Sequence, residues 1–256
     1  RPRHSTSGVN GLKIAQARKS GNPYPGDLSF QAVKQSGGSY KLYVIAHVYI
    51  EDYLYGVVPY EMGNSSNVEA LKAQAVAART YTVRMMSRRA SNRYDVVDTT
   101  SDQVYRGTPS GNANCVTAID STRGIVLQYG GEYVMTYYSA SNGGQTESAP
   151  HGVGSGAYAY FTVKDDPFDY ANPSSTVKKK TVYKDLTHAS NPSGLISLLQ
   201  RKAESQLGQS VTLVSLQSVT PHTPKYEAPS RLYTKMDFEL TARTASGSLQ
   251  TVTVTC

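Results

Sequence analysis

The sequence predicts an α+β fold in which mixed or antiparallel sheets accompany one long, alanine-rich helix and a few short ones. Residues 68–86 place apolar side chains at spacings of three and four, which is typical of one helix face. Residues 40–50 instead combine β-branched and aromatic side chains, which favour a strand. We predict an irregular arm over residues 1–39 and a single domain over residues 40–256, without an internal repeat.

The first elements are short. Apolar stretches at residues 12–17 and 28–33 predict brief strands within the arm, and residues 40–50 predict a longer strand. Residues 51–57 predict a short helix that turns the chain toward Glu61.

The long helix has a clear start. Ser66 and Glu69 stand in the S-x-x-E spacing of a capping box, in which hydroxyl and carboxylate satisfy free backbone N–H groups. Five alanines follow within the helix, and alanine has the highest helix propensity. Lys72 and Arg79 are seven residues apart, so they lie roughly on one face.

The remaining elements follow from the same patterns. A Gly130-Gly131 pair between two β-branched and aromatic runs indicates a tight hairpin turn. In order, we predict strand–turn–strand over 96–105, a helix over 113–123, the hairpin over 124–138, an ordered loop over 145–175, a helix over 194–207, and strands over 211–219 and 233–256.

The net charge of the chain limits the classes of partner that we expect it to bind. The formal net charge is +7, which suits nucleic acid, a membrane surface or an anionic cell wall. The sequence has no RNA-binding signature, zinc-finger spacing or basic heptad region, so we predict no nucleic-acid partner. No apolar run approaches the roughly 20 residues of a membrane span. We expect contact with a membrane only through a removed N-terminal anchor, if there was one before Arg1.

The two cysteines leave their pairing open. Cys115 and Cys256 form no C-x-x-C motif, and the sequence is compatible with a disulfide or with two free thiols.

Glu61 is the leading candidate for chemistry. It follows an apolar run containing Val57 and Val58, so its carboxyl group is expected to be half-buried, which raises the pKa toward the range of a general acid. An ordinary surface or capping glutamate fits the same pattern.

Five ordered segments resemble one known family. They are E-D-Y-L-Y-G-V-V-P-Y-E-M (51–62), E-A-L-K-A-Q-A-V-A-A-R-T-Y (69–81), D-T-T-S-D-Q-V-Y (98–105), A-I-D-S-T-R-G-I-V-L (118–127) and Y-Y-S-A-S-N-G-G-Q-T-E (137–147). Together they resemble the stage II sporulation protein D family, also described as the SpoIID/LytB domain, over residues 40–175. Residues 176–256 resemble it less closely. Members are peptidoglycan lytic transglycosylases or modulators of cell-wall amidases.

The resemblance assigns roles to individual residues. It implies that Glu61 is the catalytic acid, that the protein works outside the cytoplasm, and that its partners are peptidoglycan glycan strands and a cell-wall amidase. The substrate-binding residues expected from it are Lys72, Gln74, Arg79, Gln103, Tyr105, Ser139, Ser141, Asn142 and Gly143. For the last four, a plain polar loop is the alternative, because such loops are rich in these residues anyway.

We predict neither a metal nor another cofactor. Some relatives carry Cys and His near residues 98–105 and bind zinc there, whereas this sequence has Asp98, Ser101 and Asp102. The acidic run of residues 165–169 fits either a metal or second catalytic carboxylate, or a turn before Pro167.

Three functions remain open. The first is a lytic transglycosylase, in which an internal sugar hydroxyl replaces water and one carboxyl group suffices. The second is a non-catalytic wall-binding module that stimulates an amidase. The third is a hydrolase, which needs a second carboxylate such as Asp98, Asp102 or Glu147. For the first, Lys72 and Arg79 either hold a lactyl carboxylate or lower the pKa of Glu61 against burial.

Overall fold

The structure is a computed structural model that describes residues 11–12, 21–148, 158–172 and 180–256. The chain divides into two compact units, residues 1–138 and 139–256, and each is described by itself. The boundary expected between residues 39 and 40 does not coincide with this division. It falls in the turn of a β-hairpin within the first unit.

The elements confirm the predicted α+β class. The first unit contains β1 (Gly11–Leu12), β2 (Tyr24–Pro25), β3 (Asp27–Lys34), β4 (Tyr40–His47), α1 (Ile50–Met62), α2 (Val68–Arg88), α3 (Ala113–Ser121), β5 (Gln128–Tyr129) and β6 (Glu132–Tyr133). The described part of the second unit contains α4 (Pro167–Ala171), α5 (Ser193–Leu207), β7 (Val211–Pro224), β8 (Tyr233–Thr244) and β9 (Leu249–Thr255).

The early strands form two antiparallel pairs. β3 and β4 make the hairpin expected from residues 28–33 and 40–50, with Phe30 opposite Val44. β1 pairs with β2. The strand predicted over residues 12–17 lies outside the described residues, apart from Leu12 at its start.

Helix α1 is longer than the predicted 51–57, because it continues through Pro59 and includes Glu61 in its last turn. Proline removes one backbone donor from a helix interior, which normally ends or kinks it. Here the buried side chains of Val57 and Val58 before Pro59 and the partly buried Met62 after it pack in one core. The helix then ends at Gly63, whose N–H donates to the carbonyl of Pro59 at 3.0 Å.

The predicted capping box is wrong in detail. Asn67, and not Ser66, is the N-cap of α2, and its side-chain oxygen accepts from the N–H of Glu69 at 2.9 Å. The hydroxyl of Ser66 donates instead to the carbonyl of Met62, at the end of α1. The linker is too short to separate the two helix ends, so adjacent residues satisfy one end each.

Three helices enclose the core of the first unit. Leu54 and Val57 of α1 pack in one cluster with Leu71 and Ala75 of α2 and with Ile119 of α3. The fit is close at Gly56, because a Cβ atom there would lie 2.4 Å from the ring of Tyr105. A glycine inside α1 therefore permits direct packing of the helix on the chain that follows α2.

Residues 96–105 form no strand, so the predicted strand–turn–strand is wrong. One carboxylate organises this segment instead. Asp102 accepts hydrogen bonds from Arg89 at 2.7 Å, from the hydroxyl of Tyr81 at 2.7 Å and from the N–H of Val97 at 2.8 Å. These bonds replace the ladder bonds that a strand would need.

The helix predicted after this segment is confirmed, whereas the hairpin predicted over 124–138 is confirmed only around its turn, because its strands are two residues long each. α3 lies within the expected range of 113–123, and β5 pairs with β6 across Gly130 and Gly131. Their φ angles of 60° and 84° fit the tight turn that the pair predicts.

The second unit contains an antiparallel sheet in the order β7-β8-β9, with α5 packed against β7 and β9. Phe238, Leu240 and Ala242 of β8 point alternately into its core. A bulge between Leu213 and Leu216 in β7 keeps both leucines buried despite their spacing of three. The predicted helix over 194–207 and strands over 211–219 and 233–256 are confirmed, with a turn between β8 and β9.

Both cysteines are free thiols. Cys115 is buried in the first unit, and Cys256 lies at the end of the second. Over the described ranges, the structure has no helix with the length and apolar character needed to cross a bilayer.

Candidate functional site

Glu61 projects from the last turn of α1. The residue is exposed, yet partial burial of its carboxyl group raises the pKa above the ordinary value of 4.5. Val57 and Val58, one turn earlier in α1, are fully buried in the core. A carboxyl group that is open to a ligand but poorly hydrated has the properties of a general acid.

Tyr138 is the neighbour of Glu61 that sequence reasoning did not identify. Burial raises the pKa of the Tyr138 phenol, and the negative charge of Glu61 raises it further. The phenol therefore stays protonated across the physiological range and lies close enough to sense the carboxylate. The sequence indicates a strand up to this point, but not which of two adjacent tyrosines faces Glu61.

Gln103 fixes the direction of the Tyr138 hydroxyl. Its Nε2 faces the carbonyl of Ala78 at 3.3 Å, and a carbonyl can only accept, so the amide orientation is determined. Its Oε1 accepts from Thr82 at 2.8 Å and from Tyr53 at 3.3 Å. The same Nε2 donates to Tyr138 at 3.0 Å. Tyr138 is therefore the acceptor, and no described contact uses its own hydrogen.

Gln74 lies one helical turn before Ala78 on α2. Its Nε2 atom is enclosed and, among the described residues, has no hydrogen-bond partner. The segment that follows the β5–β6 hairpin runs back along α2 toward Gln74. Tyr133 accepts a hydrogen bond from Arg84 through its carbonyl, and Thr136, three residues later, donates to the carbonyl of Ala77, which is nearer to Gln74. An enclosed amide without a partner is costly, and the binding role expected of Gln74 stays a prediction.

The two predicted cations are engaged elsewhere. Lys72 donates to Glu69 at 2.7 Å on the exposed face of α2. Arg79 is only 1% exposed and forms two bonds to Glu51, at 3.0 and 2.8 Å. Burial thus raises the pKa of Glu61, and the lowering that a nearby Lys72 or Arg79 would cause is not found.

Arg79 joins three parts of the first unit. Besides Glu51 of α1, its guanidinium donates to the carbonyls of Ile119 in α3 and Ile125 beyond it. Glu51 also accepts from the N–H of Gly124 at 3.1 Å. The expected role of Arg79 in holding substrate is therefore replaced by a role in holding the helices together.

Part of the chain is similar in sequence to a known family. A sequence model of the family described as SpoIID, stage II sporulation protein, matches residues 39–129. Residues 39–129 are thus the part of the chain that is similar to the SpoIID family. The match includes Glu61 and Gln103 and ends before Tyr138.

Individual relatives are similar over different lengths. Stage II sporulation protein D of Bacillus subtilis is 27% identical over 189 residues, which are 66% of this chain and 55% of that protein. The amidase enhancer of the same organism is 45% identical over 116 residues, or 45% of this chain and 15% of that protein. An uncharacterized protein of Brachyspira hyodysenteriae is 44% identical over 112 residues, which are 43% of this chain and 30% of that protein. The chain thus spans between 15% and 55% of these relatives.

Two predicted binding residues lie in the interior of the first unit. Gln103 is 1% exposed and reaches the site only through Tyr138. Tyr105 is 5% exposed, and its ring packs on Tyr53 and Tyr24 with centroid separations of 4.9 and 5.7 Å. Direct sugar contact was expected of both, but the structure gives Gln103 a positioning role and Tyr105 a packing role.

The other predicted binding residues belong to the second unit. Asp169 accepts from the hydroxyl of Ser141 at 2.7 Å and from the N–H groups of Asn142 and Gly143, both at 2.9 Å. The hydroxyl of Ser139 donates to the carbonyl of Ser141 at 3.0 Å. The polar groups expected to bind sugar thus have partners within their own unit.

The acidic run of residues 165–169 is explained by a turn. Asp166 is the N-cap of α4, where its side chain accepts from the N–H of Asp169, and Pro167 occupies the first turn. Among the described residues, no three His, Cys, Asp or Glu side chains are grouped so that they could hold a metal.

The carboxylates considered for a hydrolase differ in their surroundings. Burial would raise the pKa of Asp102, but hydrogen bonds from Arg89, Tyr81 and the N–H of Val97 hold it below its ordinary value. Glu147 belongs to the second unit and accepts from Ser230 at 2.6 Å. Asp98 is exposed.

Proposed function

We propose that the chain is a peptidoglycan lytic transglycosylase with Glu61 as its single acid and base. The observation that carries this proposal is the raised pKa of Glu61, caused by burial beside Tyr138. The match to the SpoIID family over residues 39–129 supports a cell-wall role. We further propose that no metal or other cofactor takes part.

The proposed reaction needs one carboxyl group. Protonated Glu61 donates its proton to the oxygen of the bond between N-acetylmuramic acid and N-acetylglucosamine as the C1–O bond breaks. The resulting carboxylate takes the proton from the C6 hydroxyl of the muramic sugar while that oxygen bonds to C1. The products are a 1,6-anhydro end and a free hydroxyl on the other sugar. Glu61 regains its proton, and no water is consumed.

Tyr138 and Gln74 complete the proposed site. The Tyr138 hydroxyl, oriented by Gln103, donates to a sugar oxygen near Glu61 or to the carboxylate once it has lost its proton. The enclosed amide of Gln74 donates to an acceptor of the sugar, such as the acetamido oxygen. Lys72 can leave its exposed partner Glu69 and pair with a lactyl carboxylate at small cost.

The proposed setting is the cell wall outside the cytoplasm. The net charge of +7 favours association with an anionic polymer. Glycan strands are the proposed substrate, and sporulation is the setting suggested by the relative named stage II sporulation protein D.

A second function has its own support. The chain is 45% identical over 116 residues to a protein named amidase enhancer. Under this alternative, the same surface holds glycan without cleaving it, and a cell-wall amidase is the second partner.

Digestion of purified glycan strands followed by mass spectrometry separates the alternatives. Anhydro ends that disappear in Glu61→Gln support the transglycosylase, and Glu69→Gln is the matched control on the exposed face of α2. Reducing ends indicate a hydrolase, whereas binding without cleavage indicates the amidase modulator. Normal cleavage by Glu61→Gln would remove Glu61 from its proposed role.

A further inference from the structure

A cleft lies in the first unit, and Glu61 is not among the residues that line it. It has a volume of about 360 Å³, and its lining includes Tyr43, Tyr94, Arg89, Arg93, Asn92 and Asp102. The cleft is open to solvent, which suits a segment of an extended polymer better than an enclosed small molecule.

Two tyrosine rings form its apolar part. The rings of Tyr43 and Tyr94 are nearly parallel, with centroids 6.1 Å apart and planes 24° apart. Tyrosine offers an apolar face with a polar tip, which matches the face and hydroxyl groups of a sugar ring.

Two cations stand over one of these rings. The ammonium of Lys41 lies 5.4 Å from the Tyr43 centroid, and the guanidinium of Arg93 lies 5.5 Å from it. Arg93 donates one bond to the neutral side chain of Gln31, at 2.6 Å. Among the described residues, neither cation has an acidic partner, so both keep donors and charge for an anionic group.

The wall behind the cations is fixed. Arg89 forms two bonds to Asp102, at 2.7 and 3.1 Å, and donates to the carbonyl of Asp95 at 2.9 Å. Because Arg89 is neutralised in this way, the free positive charge is that of Arg93 in the cleft wall and of Lys41 beside the Tyr43 ring.

The cleft is tied to the Glu61 site by consecutive residues. Asp102 holds the cleft wall, and the next residue, Gln103, holds Tyr138. The carbonyl of Ala78 in α2 accepts a hydrogen bond from Gln103, and Arg89 follows Ala78 by eleven residues at the end of this helix. At a rise of 1.5 Å per residue, the two positions are about 16 Å apart. One polymer strand of several sugars is long enough to reach both places.

We infer that the Tyr43–Tyr94 cleft is a second binding site for a sugar polymer that carries carboxylate groups. Sugar rings pack on the tyrosines, and a carboxylate pairs with Arg93 and Lys41. The identity of the polymer as the glycan strand rests on the proposed function. Two sites on one rigid unit increase the affinity for long strands through effective concentration, whereas short oligomers gain nothing.

Hydrogen exchange of the whole chain with peptide-free glycan strands tests the inference. Strands with intact lactyl carboxylates should protect residues 89–94 and 97–102, and strands with those carboxylates reduced to alcohols should protect them less. Arg93→Gln should weaken binding of the intact strands about tenfold, the loss expected for one charge-assisted bond. Arg88→Gln removes the same charge from an exposed position outside the cleft and should leave binding nearly unchanged.

Binding at the cleft and cleavage by Glu61 can each succeed or fail independently. Equal losses in Arg93→Gln and Arg88→Gln, or no protection of the cleft, would overturn the inference even if anhydro ends are formed. Cleft protection that depends on Arg93 would uphold it even if the chain cuts no glycan.

Discussion

The side-chain amide of Gln103 donates a 3.0 Å hydrogen bond to the hydroxyl of Tyr138, and thereby leaves the tyrosine hydrogen available beside Glu61. A fully buried residue thus controls a group at the protein surface. The relationship connects the irregular segment after α2 with the chain that follows the β5–β6 hairpin.

Tyr138→Phe should lower the rate of glycan cleavage while the fold is retained. The variant keeps the ring but removes the donor. A hydrogen bond to a charged group contributes about 1.5–3 kcal/mol, so we expect a loss of roughly ten- to a hundredfold in kcat. Steady-state cleavage with thermal denaturation as the fold check measures it. The adjacent, exposed Tyr137→Phe is the control, and an equal loss there would argue against a specific role of Tyr138.

Glu61→Gln should change stability in a pH-dependent way. The pKa of Glu61 in the folded chain is raised by burial, so the folded state binds its proton more tightly than the unfolded state does. Relative to Glu61→Gln, the wild type therefore loses stability as the pH rises from the ordinary value of 4.5 through the folded pKa.

Urea denaturation at several pH values measures this difference. The two proteins should be equally stable where Glu61 is protonated in both states, and the Gln variant should be more stable above that range. Glu69→Gln, which removes an exposed carboxylate paired with Lys72, should show no such gain. A wild type that becomes relatively more stable with rising pH would contradict the assigned burial effect.

Arg79→Met should destabilise the first unit by about 3–5 kcal/mol, because it leaves the Glu51 carboxylate buried without its partner. The double variant Arg79→Met/Glu51→Leu should recover much of this loss, since it removes both charges. Denaturant unfolding of the three variants tests the pair. Loss of cleavage by Arg79→Met at full stability would instead indicate direct contact with substrate.

Gly56→Ala should destabilise the chain by roughly 1–3 kcal/mol, although alanine favours helices. The added Cβ atom would lie 2.4 Å from the ring of Tyr105 and 2.6 Å from the carbonyl oxygen of Gly107. Gly194→Ala in α5 is the matched control, because nothing lies within 4 Å of its Cβ position. It should be neutral or slightly stabilising, and calorimetry compares the two. Equal effects would mean that α1 shifts to accept the methyl group.

Local patterns in the sequence predict most of the elements. The alanine-rich helix, the Gly130-Gly131 hairpin and the strands of the second unit depend on periodicity and turn chemistry that neighbouring residues carry. The errors occur where distant contacts dominate. Asp102 replaces strand pairing by side-chain bonds, and core packing continues α1 through Pro59.

The sequence by itself determined the α+β class and the long helix, because each is expressed within short stretches of residues, whereas the prediction of Glu61 as the acid depends on the family resemblance. Only the tertiary structure decided that Arg79 binds Glu51, that Gln103 is buried, and that Tyr138 is the neighbour of Glu61. Arg79 and Glu51 are 28 residues apart, and Gln103 and Tyr138 are 35 apart. No local pattern specifies such partners, since they depend on how the helices and the returning chain pack around one core.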